Sequence, residues 1–247
     1  MTARLFLVPP GALDTLDPHA LVVLDGPQGR HAATVVRLRI GDRVLLGDGA
    51  GRRTDAQVVA TGRHTVTVRV DGVESRPAPQ PRFVLVQALA KAGRDDRAVE
   101  AATELGVDEI VPWQAARSVA RWRGDKADRG RDSWAALAAA ATKQSRRWWV
   151  PVVHPLAGLT EVADLLGGAA LGLVLHEDAG MPFGSVTLPP TGLVVLVVGP
   201  EGGIAPDELA AFETAGARAV RLGPEVLRSS NAGPAALAAL CAVTRWT

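Results

Sequence analysis

The chain has almost no net charge of either sign, only one cysteine and no long apolar run. A formal charge of +1 means that global electrostatics select no class of partner, so any polyanion site must come from local clustering. Cys241 alone excludes an intramolecular disulfide; in an apolar helical stretch it reads as a buried thiol, in keeping with a cytoplasmic location. One cysteine and five scattered histidines give no ligand spacing, so no metal is expected. The run Leu193–Val198 is far shorter than the roughly 20 residues a membrane span needs, so no membrane partner is expected. The N-terminal Met-Thr-Ala-Arg-Leu-Phe-Leu-Val-Pro-Pro breaks too soon for a signal peptide. Two nucleotide signatures are also missing. No glycine loop ends in Gly-Lys-Ser/Thr, and no G-x-G-x-x-G follows a strand, which disfavours a P-loop, a Rossmann dinucleotide site or a Rossmann-type methyltransferase.

What is present is an ordinary globular composition, 47% hydrophobic and 21% charged over 247 residues, enough for one large or two modest domains. Residues 1–74 carry short alternating runs (Arg4 to Val8, Ala20 to Leu24, Arg43 to Leu46, Ala56 to Ala60, Thr65 to Val70) between Asp-Gly, Gly-Asp and Thr-Gly breaks. Period-2 alternation with closely spaced turns predicts a small β barrel or sandwich, with one helix at Gln28 to Arg37. Pro77, Pro79 and Pro81 stiffen residues 75–82 into a linker.

From Phe83 the pattern changes to buried strands alternating with helices: a strand to Ala88, a helix over 94–105 stopping at Gly106, and a strand from Asp108 to Pro112. That alternation predicts a parallel α/β sheet over 83–247. Residues 113–149 concentrate nine Lys/Arg against three Asp, interleaved with Trp113, Trp122, Trp134, Trp148 and Trp149. Cations beside aromatic planes suit phosphate attraction with base stacking; the same residues also suit core anchors and a solvated helix face. A helix is expected over 133–147. A strand at Leu171 to Leu175 ends in His176, the run Leu193–Val198 ends in Gly199-Pro200-Glu201-Gly202-Gly203, and a strand over Ala219 to Leu222 ends in Gly223-Pro224. Three strand ends bring backbone amides and a few polar side chains to one sheet edge, where open α/β sheets bind ligands.

The pair VVGPEGG (197–203) and LGPEVLRSSNA (222–232) resembles the two C-terminal motifs of the SPOUT methyltransferases, specifically the ribosomal RNA small subunit methyltransferase E family. His31 to Asp42 with Gly47-Asp48-Gly49 resembles the PUA-like domain of that family, and Lys91, Thr103 to Val107, Ile110 and Pro112 fit its pattern. The resemblance implies a PUA-like β-barrel before a SPOUT domain with a C-terminal trefoil knot, a homodimer, and S-adenosyl-L-methionine as cofactor. The implied reaction is methylation of N3 of one uridine in 16S, small-subunit, ribosomal RNA. A SPOUT enzyme of other specificity and a non-catalytic RNA-binding relative are the alternatives.

By position, the cofactor candidates are Leu175, His176, Val198, Gly199, Glu201, Gly202, Gly203, Leu222, Leu227, Arg228, Ser229, Asn231 and Ala232. Arg228 is the catalytic candidate, because a permanent charge on a planar fork can meet a uridinate oxygen, with a loop-shaping ion pair to Glu225 or Glu201 as its alternative. His176, Glu201 and solvent are open as the base. Arg30, Arg37, Arg39, Arg121, Arg146 and Arg147 are the RNA-contact candidates, each equally readable as solvated surface. The chain departs from the family at Ala101, where a lysine is common, at Ala205, which removes a serine cap, and at Ser230 and Asn231, where Glu and Thr are frequent.

Overall fold

The computed structural model describes residues 3–246, which form two compact units. The first comprises residues up to Ala78 together with Thr142–Val150; the second comprises Pro79–Ala141 and Pro151 onward. Residues 142–150 were expected with the α/β body. They instead join the β unit, because Gly51 donates to the Trp148 carbonyl and Val150 to the Gly49 carbonyl, adding a short extended segment to that unit.

The first unit is built on β1 (Arg4–Leu7), β2 (Leu21–Leu24), α1 (Gly26–Arg30), β3 (Arg43–Gly47), β4 (Arg52–Thr61) and β5 (Val66–Ser75). They form a five-stranded sheet in the order β1-β3-β4-β5-β2, parallel only between β1 and β3. Alternation decides the inner face: Val66, Val68 and Val70 are buried with Phe6, Leu13, Val44, Leu46 and Val58, while Thr67 and Arg69 point away. Two bulges, between Asp55 and Ala56 and between Val58 and Ala60, bend the long β4–β5 pair. The helix expected at Gln28 to Arg37 is α1 continued as a wider π-helical turn, His31–Val36. Thr34, Val35 and Val36 are β-branched and crowd a regular turn, and Arg37 ends it in the left-handed region at φ 59°.

In chain order the second unit holds β6 (Arg82–Ala88), α2 (Arg94–Leu105), β7 (Glu109–Trp113), α3 (Asp125–Ser145, continuing to the other unit at its end), β8 (Val152–Val153) and α4 (Leu159–Gly167). There follow β9 (Leu171–Leu175), β10 (Leu193–Val198), α5 (Pro206–Thr214), β11 (Arg218–Val220) and α6 (Ser229–Ala242). All six strands are parallel, in the order β11-β9-β10-β6-β7-β8. The two-residue period of β10 sorts its side chains between two cores. Val194, Leu196 and Val198 meet Phe83, Leu85, Val99 and Leu237 on one face; Val195 and Val197 meet Val84, Val86, Val162 and Phe212 on the other. Each of these buried aliphatics contributes about 1.5–3 kcal/mol. The helix expected over 133–147 starts earlier, at Asp125, where Asp125 and Asp128 sit favourably in its first turn. Trp113 and Trp134 are fully buried, the latter donating from Nε1 to Asp96 at 3.1 Å, so these two rings are core. No helix among the described residues is long and apolar enough to cross a membrane, and no group of His, Cys, Asp and Glu could hold a metal ion.

The C-terminal end of the unit is tied down by one arginine. Arg245 donates to the Asp108 carboxylate at 2.5 Å and to the Pro81 carbonyl at 2.7 Å, and lies over the Phe83 ring at 4.1 Å. Asp108 is buried and also accepts from the Phe83 amide at 2.8 Å. Removing the cation leaves a buried carboxylate with one partner fewer, so Arg245→Ala is expected to destabilise this unit by about 3–5 kcal/mol in urea unfolding. A loss below about 1 kcal/mol would mean that water replaces the guanidinium at little cost.

Candidate cofactor site

The C-terminal ends of β9, β10 and β11 open into a cavity of about 820 Å³. Its floor comes from Leu175 and Val198, where the two strands run out side by side. His176 continues β9 and donates its amide to Val220 of β11 at 3.0 Å, which sets the third strand end beside the first two. After β11 the chain turns through Gly223-Pro224 to the start of α6, whose flanking residue is Arg228. The Arg228 carbonyl takes the amides of Asn231 and Ala232 at 2.8 and 3.0 Å, fixing its backbone while the side chain stays exposed.

Every cofactor candidate lines the cavity except Asn231, whose Oδ1 instead accepts from the Ser230 hydroxyl at 3.1 Å on the exposed side of α6. The wall is glycine where the backbone must come close. A Cβ on Gly199 would drive into the Ile204 side chain, and one on Gly202 would press on Arg117. Ser229 is buried on this wall, and its hydroxyl has no hydrogen-bond partner among the described residues. An orphaned buried hydroxyl, an apolar floor and loop amides suit a ligand with a flat apolar body and polar edges. S-adenosylmethionine, with its adenine, fits that description.

Sequence reasoning missed the cations that shape this wall. Arg94, at the start of α2, reaches Glu201 Oε1 at 3.0 Å, and the Lys91 amide donates to the same oxygen at 3.2 Å. Arg117 donates to the Gly202 carbonyl at 3.1 Å. Burial pushes the Glu201 carboxyl up, but the amides of Glu201 and Lys91 and the Arg94 guanidinium outweigh it and hold the group below the usual carboxylate range. The absent serine cap at Ala205 is offset from the other side of the turn: Glu208 accepts from the Ala205 amide at 3.0 Å and from the Ala116 amide at 2.7 Å. Arg94 and Arg117 lie about a hundred residues before the motifs they brace, and no local pattern marks them.

The alternative role for Arg228 finds no support. Among the described residues it forms no ion pair, Glu201 being held by Arg94. His176 accepts the Asp178 amide at Nδ1, 3.2 Å away. Of the RNA-contact candidates, Arg30, Arg37, Arg39 and Arg121 are exposed, while Arg146 and Arg147 are half-buried. Arg121 donates to the Ala116 carbonyl at 2.9 Å, and the Arg147 amide to Thr142 at 3.1 Å.

The geometry has clear counterparts among known proteins. Residues 76–241 match the model of an RNA methyltransferase domain, and residues 24–71 that of an RNA methyltransferase PUA domain. The ribosomal RNA small subunit methyltransferase E of Mycobacterium bovis is 46% identical, the match covering 100% of this chain and 94% of that protein. The protein of the same name from Bacillus subtilis is 26% identical over 88% of each. Among solved structures, the Neisseria gonorrhoeae ribosomal RNA small subunit methyltransferase E bound to S-adenosyl methionine superposes with a TM-score of 0.86 at 26% identity, over 98% of both chains. A Legionella pneumophila methyltransferase in complex with the same cofactor gives 0.86 at 25% identity, again over 98% of both. With near-complete coverage in both sequence and structure, and with the glycine loop and Arg228 loop meeting at one cavity, the chain belongs to the ribosomal RNA small subunit methyltransferase E family.

Proposed function

We propose that this chain transfers the methyl group of S-adenosyl-L-methionine to N3 of one uridine in 16S, small-subunit, ribosomal RNA. The observation that carries the reading is the cavity at the three strand ends, with an unpaired arginine at its edge. Relatives named for small-subunit rRNA methylation, and a family structure bound to the cofactor, support the substrate class. The three loops are, in the same reading, the crossing segments of a trefoil knot. RNA capture falls to the β unit, cofactor chemistry to the parallel-sheet unit, and the place of work is the cytoplasm.

Bound in the cavity, the cofactor supplies an electrophilic methyl on a sulfonium. Gly199 and Gly202 let the loop fold tightly against Ile204 and Arg117 beside it, Leu175, Val198 and Ala232 cover its apolar surface, and Ser229 and the loop amides answer its polar edges. Arg228 meets the charge that grows on a uracil oxygen as the N3 proton leaves, and its planar fork keeps the ring in line for attack. The proton goes to water. Glu201 is a weak base, held ionised by Arg94 and the Lys91 amide, and Nδ1 of His176 is already taken by the Asp178 amide.

In single-turnover methylation of small-subunit rRNA, with the modified base identified by mass spectrometry, the wild type is expected to yield 3-methyluridine. Arg228→Ala should slow the step by about a hundred- to a thousand-fold, with cofactor affinity falling far less, and Arg228→Lys should recover only part of the rate. Methylation of another atom removes the specificity assignment. A collapse of cofactor affinity in step with the rate would make Arg228 a loop-shaping residue.

The Glu201 tether predicts a pH dependence of known sign. Its carboxyl is held below the ordinary range in the folded state, so the stabilisation is fully present above that range and disappears as pH falls through the lowered value. The calorimetric melting temperature should therefore carry this contribution above the ordinary carboxylate range and lose it as pH falls from there through the lowered value. Glu201→Gln should melt lower at neutral pH, because the charge-assisted bond to Arg94 is lost, and should show no acid limb. An acid limb that survives in Glu201→Gln belongs to another group.

The chain is further proposed to act as a homodimer. Val243 and Trp246 are 67% and 57% exposed at the C-terminal end of α6, with Ala239 and Ala242 exposed nearby, an apolar surface of the kind isologous interfaces cover. Sedimentation is expected to give a dimer at micromolar concentration, and Val243→Asp a folded monomer. A monomeric wild type would refute the assembly.

A further inference from the structure

Outside the cavity, a cluster of arginines without an ion pair among the described residues lies in the first unit. Arg53 of β4, Arg76 just beyond β5 and Arg146 just beyond α3 are brought together there, from three distant parts of the chain. The Arg53 and Arg76 guanidiniums lie over the same ring, Trp148, at 4.0 and 4.3 Å from its centroid, and Arg53 Nη1 donates to the Arg146 carbonyl at 3.3 Å. Among the described residues none of the three forms an ion pair. Burial first, then the charge of Arg76, and lastly that of Arg146, make the Arg53 guanidinium harder to keep charged; Glu74, opposite Arg53 across the β4–β5 pair, and Asp55 offset part of this.

Folding gathers these like charges with Glu74 and Asp55 near enough to offset part of the repulsion but with no carboxylate, among the described residues, in an ion pair with any of the three. The π face of Trp148 supplies some compensation and keeps two guanidiniums close to the ring. Arg146 adds to the oddity: it occupies the left-handed position after α3, at φ 54°, where glycine or asparagine is at ease and arginine is not. Guanidiniums gathered at one ring, with most of their N–H donors uncommitted, present forks that match phosphate oxygens.

We propose that Arg53, Arg76 and Arg146, mounted on Trp148, form a binding site for the phosphodiester backbone of RNA. The ring serves as a scaffold for the cations and not as a base-stacking platform, since the guanidiniums already occupy it. The occupant rests on the proposed rRNA substrate; the site itself rests on the cluster. Arg53 falls within the stretch matching the PUA domain, and Arg76, Arg146 and Trp148 within that matching the methyltransferase domain, yet all four belong to one compact unit.

The test is fluorescence anisotropy of the full-length chain with a labelled single-stranded RNA oligonucleotide across a salt series. For every phosphate of a single strand that is no longer neutralised, the slope of log K against log salt should become shallower by about 0.7. Arg76→Gln, at an exposed position, should show that change with an unaltered melting temperature and unaltered cofactor affinity, and Arg53→Gln with Arg76→Gln about 1.4. Arg76→Lys should keep the wild-type slope, because the point charge remains. An unchanged slope in Arg76→Gln, or a lowered melting temperature as its only effect, overturns the site and returns the cluster to a structural role. If the wild type methylates rRNA while the variant slope is unchanged, the site alone falls. If the wild type binds RNA and the variants show the predicted shallower slope but nothing is methylated, the site stands and the methyltransferase reading falls.

Discussion

The structure of the cofactor unit depends on one strand being buried on both faces. β10 is hydrogen-bonded to β9 on one side and β6 on the other, and its side chains fill two separate cores. A strand so enclosed cannot slip register without moving its apolar side chains into the wrong layer. Its end at Val198 is therefore fixed, and so is the point at which the glycine loop departs. That rigidity holds the loop of Gly199, Gly202 and Gly203 in place, packed against Ile204 and Arg117.

The loop itself is held by polar contacts from outside its own sequence. Glu201 is fastened to Lys91 and Arg94 at the end of β6 and start of α2, Gly202 to Arg117, and the turn into α5 by Glu208 to Ala116. These contacts place the cavity wall under the control of the two chain segments that follow β6 and β7. They also separate two roles that a motif reading leaves merged. Glu201 is paired with Arg94, while Arg228 forms no ion pair among the described residues.

Much of this was legible in the sequence, for identifiable reasons. The apolar run of β10 and its Gly-Pro break mark a buried strand ending at a site, and the period-2 valines of β5 mark a sheet with one inner face. The segments 199–203 and 222–232 line the cavity apart from Ser230 and Asn231, which hydrogen-bond to each other in the first turn of α6. Arg94 and Arg117 were not legible, because their partners are remote in sequence and an arginine at a helix start or in a loop is otherwise unremarkable. The tryptophans divide for the same reason. Composition shows five rings among cations in 113–149, but only packing shows that Trp113 and Trp134 are core and that Trp122 lies edge-on to Trp134 at 5.3 Å.

Trp148 carries the argument one step further, since its cations come from elsewhere in the chain. The neighbouring Arg146 and Arg147 suggested a local basic-aromatic pair, yet the guanidiniums found over the ring are those of Arg53 and Arg76. A cation–π contact offsets only part of the repulsion between two such charges in so small a space. An anion entering the cluster removes the remaining repulsion and gains forked hydrogen bonds in the same step, whereas a neutral base entering there would have to displace the guanidiniums from the ring. The physical preference of the cluster is thus for backbone phosphate over base, which is the preference of a surface that grips RNA without reading its sequence.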